Sequence, residues 1–111
     1  MIRLVTRGRC TQDYNKKLIS SPEDREPVVR KLIEGAGGKL VSLYFTTGDA
    51  DFLLITETDE AESIIAALMA TAAAGMISDV TTSRAWTAQE FRAVADKASK
   101  AARLYRPPGK R

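Results

Sequence analysis

Hydrophobic positions along the chain fall into short runs typical of strands and longer stripes typical of helices. The strand-like runs cover residues 2–7, 40–45, 52–55 and 80–86. They contain β-branched or aromatic side chains and end at glycine or polar residues, which is how strands are usually bounded. The pattern therefore predicts four strands.

Helical spacing fills most of the chain between these runs. We expect a short helix within residues 11–20 and a longer one after Ser21, a good N-cap followed by Pro22 at the first helical position. Pro27 complicates the second helix, because a proline in a helix interior removes a hydrogen bond. The helix therefore either bends there or has a regular part that begins near Glu26.

Two more helices are expected in the second half of the chain. The first has an apolar stripe over residues 61–72 and is preceded by Thr58 and Asp59, either of which is suited to cap it. The second follows Thr87, which forms a capping-box pattern with Glu90 three residues later. The predicted order is β-α-β-β-α-β followed by a helix, an α+β arrangement of the ferredoxin-like kind.

The hairpin over residues 39–57 has apolar side chains on both faces of its strands. Strands of this kind are usually covered on both faces. Two helices cover one face in the predicted arrangement, so we expect the last helix to cover part of the other and a second copy to cover the rest. The result would be a homodimer or higher homo-oligomer, with a dimeric α/β barrel as the expected form. The alternative is a monomer whose last helix folds over the sheet.

Length and charge limit the possible functions. The 111 residues are enough for one domain, which we place at 1–105 with a flexible basic tail over 106–111. The net charge of +3 is concentrated near the C-terminus, so no broad nucleic-acid-binding face is expected. An RNA-recognition module is also disfavoured, because the first strand lacks the aromatic residues that stack on bases.

The chain contains no histidine and one cysteine, Cys10. Histidine-based catalysis and histidine-ligated metals are therefore excluded, and no internal disulfide is possible. We expect no metal, no cofactor and no membrane segment, and a cytoplasmic location. The Cys10 thiol is expected to be inert, since no partner base or second cysteine accompanies it.

Two segments carry a resemblance to a known family: SPEDREPVVRKLIEGAGGKLVSLYFTTGDADFLLI and, further on, TTSRAWTAQEF. They resemble the GYD-domain family of small bacterial proteins. The resemblance implies a dimeric ferredoxin-like fold and leaves the molecular function open, since that of the family is largely unassigned. The chain departs from the family pattern at Ala50, where tyrosine is common.

The candidate ligand-binding residues are Tyr44, Asp51, Arg84 and Trp86. Arg84 lies in an otherwise uncharged strand, where a cation must face water, a carboxylate or an anionic ligand. The competing interpretations are turn chemistry for Asp51, an ion pair for Arg84 and core packing for the two aromatic residues.

Three functions remain compatible with the sequence. The first is binding of a small molecule in a cavity beside the sheet. The second is a cofactor-independent enzyme of the dimeric α/β-barrel type, similar to monooxygenases or isomerases. The third is a structural or assembly module.

Overall fold

The computed structural model describes residues 1–109, so Lys110 and Arg111 at the end of the predicted tail lie outside the described part. The strands are β1 (Ile2–Cys10), β2 (Gly38–Phe45), β3 (Phe52–Thr58) and β4 (Ile77–Ala85). The helices are α1 (Gln12–Ser20), α2 (Glu26–Gly35), α3 (Ala61–Ala73) and α4 (Ala88–Ala102). The strands form one antiparallel sheet in the order β2-β3-β1-β4. This confirms a mixed α/β protein with a four-stranded antiparallel sheet, consistent with a ferredoxin-like fold.

The observed helix starts agree only partly with those predicted from the sequence. α2 begins at Glu26 with Pro27 in its first turn, where a proline costs no helical hydrogen bond. Ser21 is therefore not its cap, and that prediction was wrong, whereas the alternative that the regular helix begins near Glu26 is confirmed. The Glu26 amide instead donates to Asp24 Oδ1 at 3.0 Å. Local carboxylate bonding therefore replaced the expected serine cap.

The starts of α3 and α4 differ in whether the predicted cap is formed. At α3 the N-cap position is Glu60, without a side-chain cap, and the Thr58 hydroxyl accepts a hydrogen bond from the Glu60 amide. The expected cap at Thr58 or Asp59 is therefore wrong. At α4 the capping box is confirmed: the Glu90 amide donates to Thr87 Oγ1 at 3.1 Å, and the Thr87 amide donates to Glu90 Oε1 at 2.7 Å.

The hydrophobic core lies between the sheet and the helices α2 and α3. Its buried apolar members are Leu4, Leu40, Phe52 and Leu54 from the strands and Ile33, Ile64, Ala67 and Leu68 from the helices. Close packing requires glycine at position 38, because a Cβ there would lie 2.7 Å from Ile64 Cδ1. The Ile64 side chain of α3 thus packs against the start of β2.

A β-bulge in β2 decides which side chains face the helices. The pairing with β3 shifts between Leu40 and Ser42, so that Leu43 aligns with Leu54 while Tyr44 aligns with Leu53. Because side chains alternate between the faces of a sheet, one extra residue reverses every later position. Leu43 therefore shares the helix-covered face with Leu40, whereas strict alternation from Leu40 would place Tyr44 there.

The other face of the sheet carries no helix in the described chain. We call it the open face; Val5, Arg7, Tyr44, Leu53 and Ile55 lie on it. The expectation that the last helix covers part of this face is wrong for the single chain, because α4 has no buried residue and extends away from the body. The longest dimension is 65 Å and the radius of gyration is 18.3 Å, against about 13 Å for a compact chain of this length.

No helix within residues 1–109 is long and apolar enough to span a lipid bilayer.

Candidate functional site

A groove with a volume of about 350 Å³ runs between α2 and α3 over the helix-covered face of the sheet. Most of its lining is apolar, and the main contributors are Val28 and Leu32 from α2, Ala67, Ala70 and Ala74 from α3, and Leu43, Phe45, Phe52 and Leu54 from the strands. The alanines of α3 leave space, since a larger side chain at the same positions would reach toward α2. We refer to this cavity as the groove.

Polar groups are concentrated at one end of the groove, where α1 leaves the sheet. Cys10, Tyr14 and Arg25 line this end. The position of α1 is set by Thr11, whose amide donates to the Met76 carbonyl at 3.0 Å and whose hydroxyl donates to the Gly75 carbonyl at 2.6 Å. These bonds tie the start of α1 to the turn after α3 and so place Tyr14 at the groove.

The thiol and the phenol at this end both stay protonated more readily than usual. Burial raises the pKa of the Cys10 thiol, and the negative charge of Asp51 raises it further. Burial likewise raises the pKa of Tyr14, although the hydrogen bond and charge of Arg25 oppose the change. At neutral pH the two groups are therefore neutral hydrogen-bond donors rather than anions.

The charged side chain in the groove lining, Arg25, is already paired with a carboxylate. The guanidinium of Arg25 lies 6.0 Å from the centre of the Tyr14 ring and pairs with Glu23 at 2.8 Å. The hydroxyl of Thr71, another polar group of the lining, donates to the Ala67 carbonyl at 2.9 Å. A bound molecule would thus meet neutral donors and a compensated charge.

Asp51, predicted from the sequence as a ligand-binding residue, does not line the groove. Its carboxylate accepts a hydrogen bond from the Cys10 amide at 2.9 Å and lies 4.0 Å from Arg9 Nε. Its backbone carbonyl accepts from the Thr46 amide at 2.8 Å. The backbone bond to Thr46 closes the hairpin loop, whereas the carboxylate joins this loop to β1 over a long range and does not make the local turn contact considered as the alternative role.

The other three predicted residues divide between two places. Tyr44 lies on the open face and is 58% exposed. Arg84 aligns with Leu4, on the opposite face of the sheet, and its guanidinium lies over the Trp86 ring at 4.9 Å. Within residues 1–109 no carboxylate lies within 4.0 Å of Arg84, so the ion pair considered from the sequence is not observed there.

Arg84 and Trp86 line a second cavity of about 440 Å³, between the end of the sheet and the first turns of α4. We refer to it as the end recess. The single chain therefore brings these two predicted residues together and leaves Tyr44 and Asp51 elsewhere.

Sequence reasoning missed Tyr14 and Arg25 as residues of the groove. Tyr14 is the only aromatic residue of a mostly polar helix, and this isolation was the available signal. Nothing local marks Arg25. The small side chains of α3 would allow close approach to the sheet, but Ala70 and Ala74 instead leave part of the groove open.

No cluster of three or more histidine, cysteine, aspartate or glutamate side chains in the described residues is arranged to hold a metal ion. The sheet order, the two covering helices and the groove define a small ferredoxin-like α/β domain with an apolar pocket beside its sheet. The model of the GYD-domain family matches residues 5–95 of the 111-residue chain, and the protein belongs to this family. No curated protein and no solved structure matches the chain significantly.

Proposed function

We propose that this GYD-domain protein binds a small, uncharged, mostly apolar molecule in the groove, and that it does so as a homodimer. The observation that carries the first part is the groove itself, whose apolar walls end at Cys10, Tyr14 and Arg25. Its volume of about 350 Å³ falls within the usual range of ligand pockets, which combine apolar walls with a few polar groups.

The charges at the polar end favour a neutral ligand. Arg25 is paired with Glu23, so an anion would have to compete with a carboxylate already in place. A ligand cation would meet the guanidinium without any uncompensated negative charge. A neutral acceptor such as a carbonyl or ether oxygen fits best, because the protonated Tyr14 phenol is able to donate to it.

The same features favour binding over acid–base catalysis in the groove. A general base or nucleophile is normally activated by a pKa near the working pH or by an adjacent base. Cys10 and Tyr14 instead have raised pKa values, and both become poorer nucleophiles at neutral pH. We therefore place ligand binding ahead of the enzyme alternative.

The test is to block the groove and measure binding of N-phenyl-1-naphthylamine, an uncharged probe that fluoresces in apolar sites. Ala70→Trp places an indole in the groove, and we expect it to weaken probe binding by at least about tenfold. Ala73→Trp is the matched control, because Ala73 is also an exposed alanine of α3 but does not line the groove. Equal probe binding by the Ala70→Trp variant and the wild-type protein would refute the groove as the site.

Cys10 offers an independent readout, since it is the only thiol in the chain and lines the groove. Bound probe is expected to slow alkylation of Cys10 by iodoacetamide in the wild-type protein and in Ala73→Trp. Probe fluorescence without protection of Cys10 would mean that the probe binds elsewhere.

The homodimer is supported by two apolar surfaces that the single chain leaves uncovered. On the open face, Leu53 and Ile55 are only partly buried. On α4, Phe91 is 48% exposed and Tyr105, just beyond the helix, is 69% exposed. Exposed apolar surfaces of this kind usually mark contacts with a partner. A second copy of the chain has the same open face and the same α4, and so supplies a matching apolar surface.

The dimer is tested by measuring the mass of the protein in solution. Light scattering is expected to give twice the chain mass of 12.1 kDa. Ala98 continues the apolar stripe that Phe91, Val94 and Ala95 form along α4. Ala98→Glu introduces a charge into this stripe and is expected to shift the protein toward monomer, whereas Ser99→Glu, one position away, is the control. A wild-type monomer would refute the dimer, and a dimer unaffected by Ala98→Glu would remove α4 from its interface.

A further inference from the structure

The end recess differs from the groove in charge and in lining. Arg3, Arg84, Trp86, Glu90, Val94 and Lys97 contribute to its walls. Its volume is about 440 Å³, enough for a small organic molecule. It lies beyond the end of β4, where α4 begins.

Two of its charged side chains neutralise each other. Arg3 pairs with Glu90 at 2.7 Å and with Glu57 at 3.4 Å. Hydrogen bonds from the Thr87 backbone, followed by that from Arg3, lower the pKa of Glu90 to about 2, so this carboxylate stays charged at neutral pH. Arg3 therefore has little capacity left for a ligand.

The other two cations are uncompensated. In the described part of the chain, neither Arg84 nor Lys97 has a carboxylate within 4.0 Å. Both line the same recess, so that two positive side chains lie there without a paired carboxylate, while the charge of Arg3 is offset by Glu90 and Glu57. Such a concavity attracts anions, since its charges add over a small volume.

The position of Arg84 suits recognition of an oxyanion. Its guanidinium lies over the Trp86 ring at 4.9 Å, and the Phe91 ring meets Trp86 edge-on at 5.5 Å between centres. Contact with the indole restricts the guanidinium while leaving its N–H groups free to donate. A carboxylate or phosphoryl group accepts two such bonds in parallel.

We propose that the end recess binds a small organic oxyanion, a carboxylate or a phosphate ester. Arg84 provides the paired donors and Lys97 provides a second positive charge. The organic part of the ligand packs against Trp86 and Val94. This site is separate from the groove and does not depend on the function proposed for it.

Trp86 makes the test specific, because it is the only tryptophan in the chain. Its fluorescence, excited at long wavelength, is titrated with sodium benzoate and with inorganic phosphate, using sodium chloride at equal ionic strength as the reference. We expect a saturable change with at least one of the two probes and none with chloride. A response to benzoate alone identifies a carboxylate site, and a response to phosphate alone identifies a phosphoryl site.

Substitutions separate a defined site from general attraction of anions. Arg84→Gln is expected to weaken binding of the responding probe by about tenfold or more, since it removes a charge-assisted hydrogen bond. Lys97→Gln is expected to weaken it less. Lys100→Gln is the matched control on the same helix, because Lys100 pairs with Asp96 at 3.6 Å and does not line the recess.

Arg84→Gln could alter the Trp86 fluorescence directly, so binding to the same variants is also measured by calorimetric titration. Lys97→Gln changes an exposed helix position and therefore tests the site even if Arg84→Gln impairs folding. The proposal is overturned if neither probe gives a saturable response, or if Arg84→Gln and Lys97→Gln both bind as tightly as Lys100→Gln.

Discussion

A buried hydroxyl in β3 gives a sharp test of how the core is packed. Thr56 is fully buried, pairs with Leu4 and Leu40 in the sheet, and its Oγ1 has no hydrogen-bond partner in residues 1–109. A buried polar atom left unsatisfied costs about 1–3 kcal/mol. Thr56→Val keeps the side-chain shape and replaces the hydroxyl by a methyl group, so we expect the free energy of unfolding to rise by about 1–2 kcal/mol.

Urea denaturation followed by far-ultraviolet circular dichroism measures this change as a higher midpoint with an unchanged slope. In a thermal melt, the same gain corresponds to roughly 4 °C or more for a domain of this size. Unchanged or reduced stability of Thr56→Val would refute the reasoning and mean that the hydroxyl is satisfied.

Thr6→Val is the matched comparison on the neighbouring strand. Thr6 is also fully buried, but its Oγ1 lies 3.1 Å from Thr82 Oγ1. The substitution breaks this bond and leaves the Thr82 hydroxyl without its partner, so we expect a loss of about 1 kcal/mol. The two substitutions make the same chemical change, so opposite changes in the free energy of unfolding would isolate the effect of the hydrogen bond.

Two further predictions concern ionisable groups. Asp51→Asn removes the negative charge that helps to raise the pKa of Cys10, so alkylation of Cys10 by iodoacetamide at pH 8 is expected to accelerate. Asp49→Asn, in the same loop, is the control and should leave the rate unchanged. Equal alkylation rates in the two variants would contradict the assigned cause. The pKa of Glu90 is lowered from 4.5 to about 2 in the folded chain, so its stabilisation of α4 is present above pH 4.5 and is lost as the pH falls toward 2. Helicity measured by circular dichroism should fall over that interval in the wild-type protein and less so in Glu90→Gln, and parallel curves would show that the carboxylate does not hold the helix.

Much of the fold could be predicted from local pattern. The four strands, the helices between them and the capping box at Thr87 are encoded by alternation, helical spacing and short-range hydrogen bonding, all of which act over a few residues. The regular part of α2 begins at Glu26, as one of the two alternatives predicted, but its expected cap was wrong, because Asp24, rather than Ser21, supplies the hydrogen bond there. Several side chains are chemically able to cap, and their competition is not visible in a pattern.

The candidate site was less predictable, because it depends on register and on contacts between distant residues. The bulge between Leu40 and Ser42 moves Tyr44 to the open face, so it does not share a surface with Arg84. The hydrophobic pattern of the sequence gives no sign of such a bulge. The joining of Cys10 to Asp51 across 41 positions likewise arises only when β1 and the hairpin meet.

The amino-acid sequence alone thus determined the class of the domain, its family, and the absence of histidine chemistry, since these follow from composition and local order. The position of the groove and the separation of the predicted residues came from the folded chain. A cavity exists only where helices diverge over a sheet, and the charge of a recess depends on which ions are already paired. Both are properties of packing between residues far apart along the chain, such as Tyr14 with Arg25 and Arg3 with Glu90.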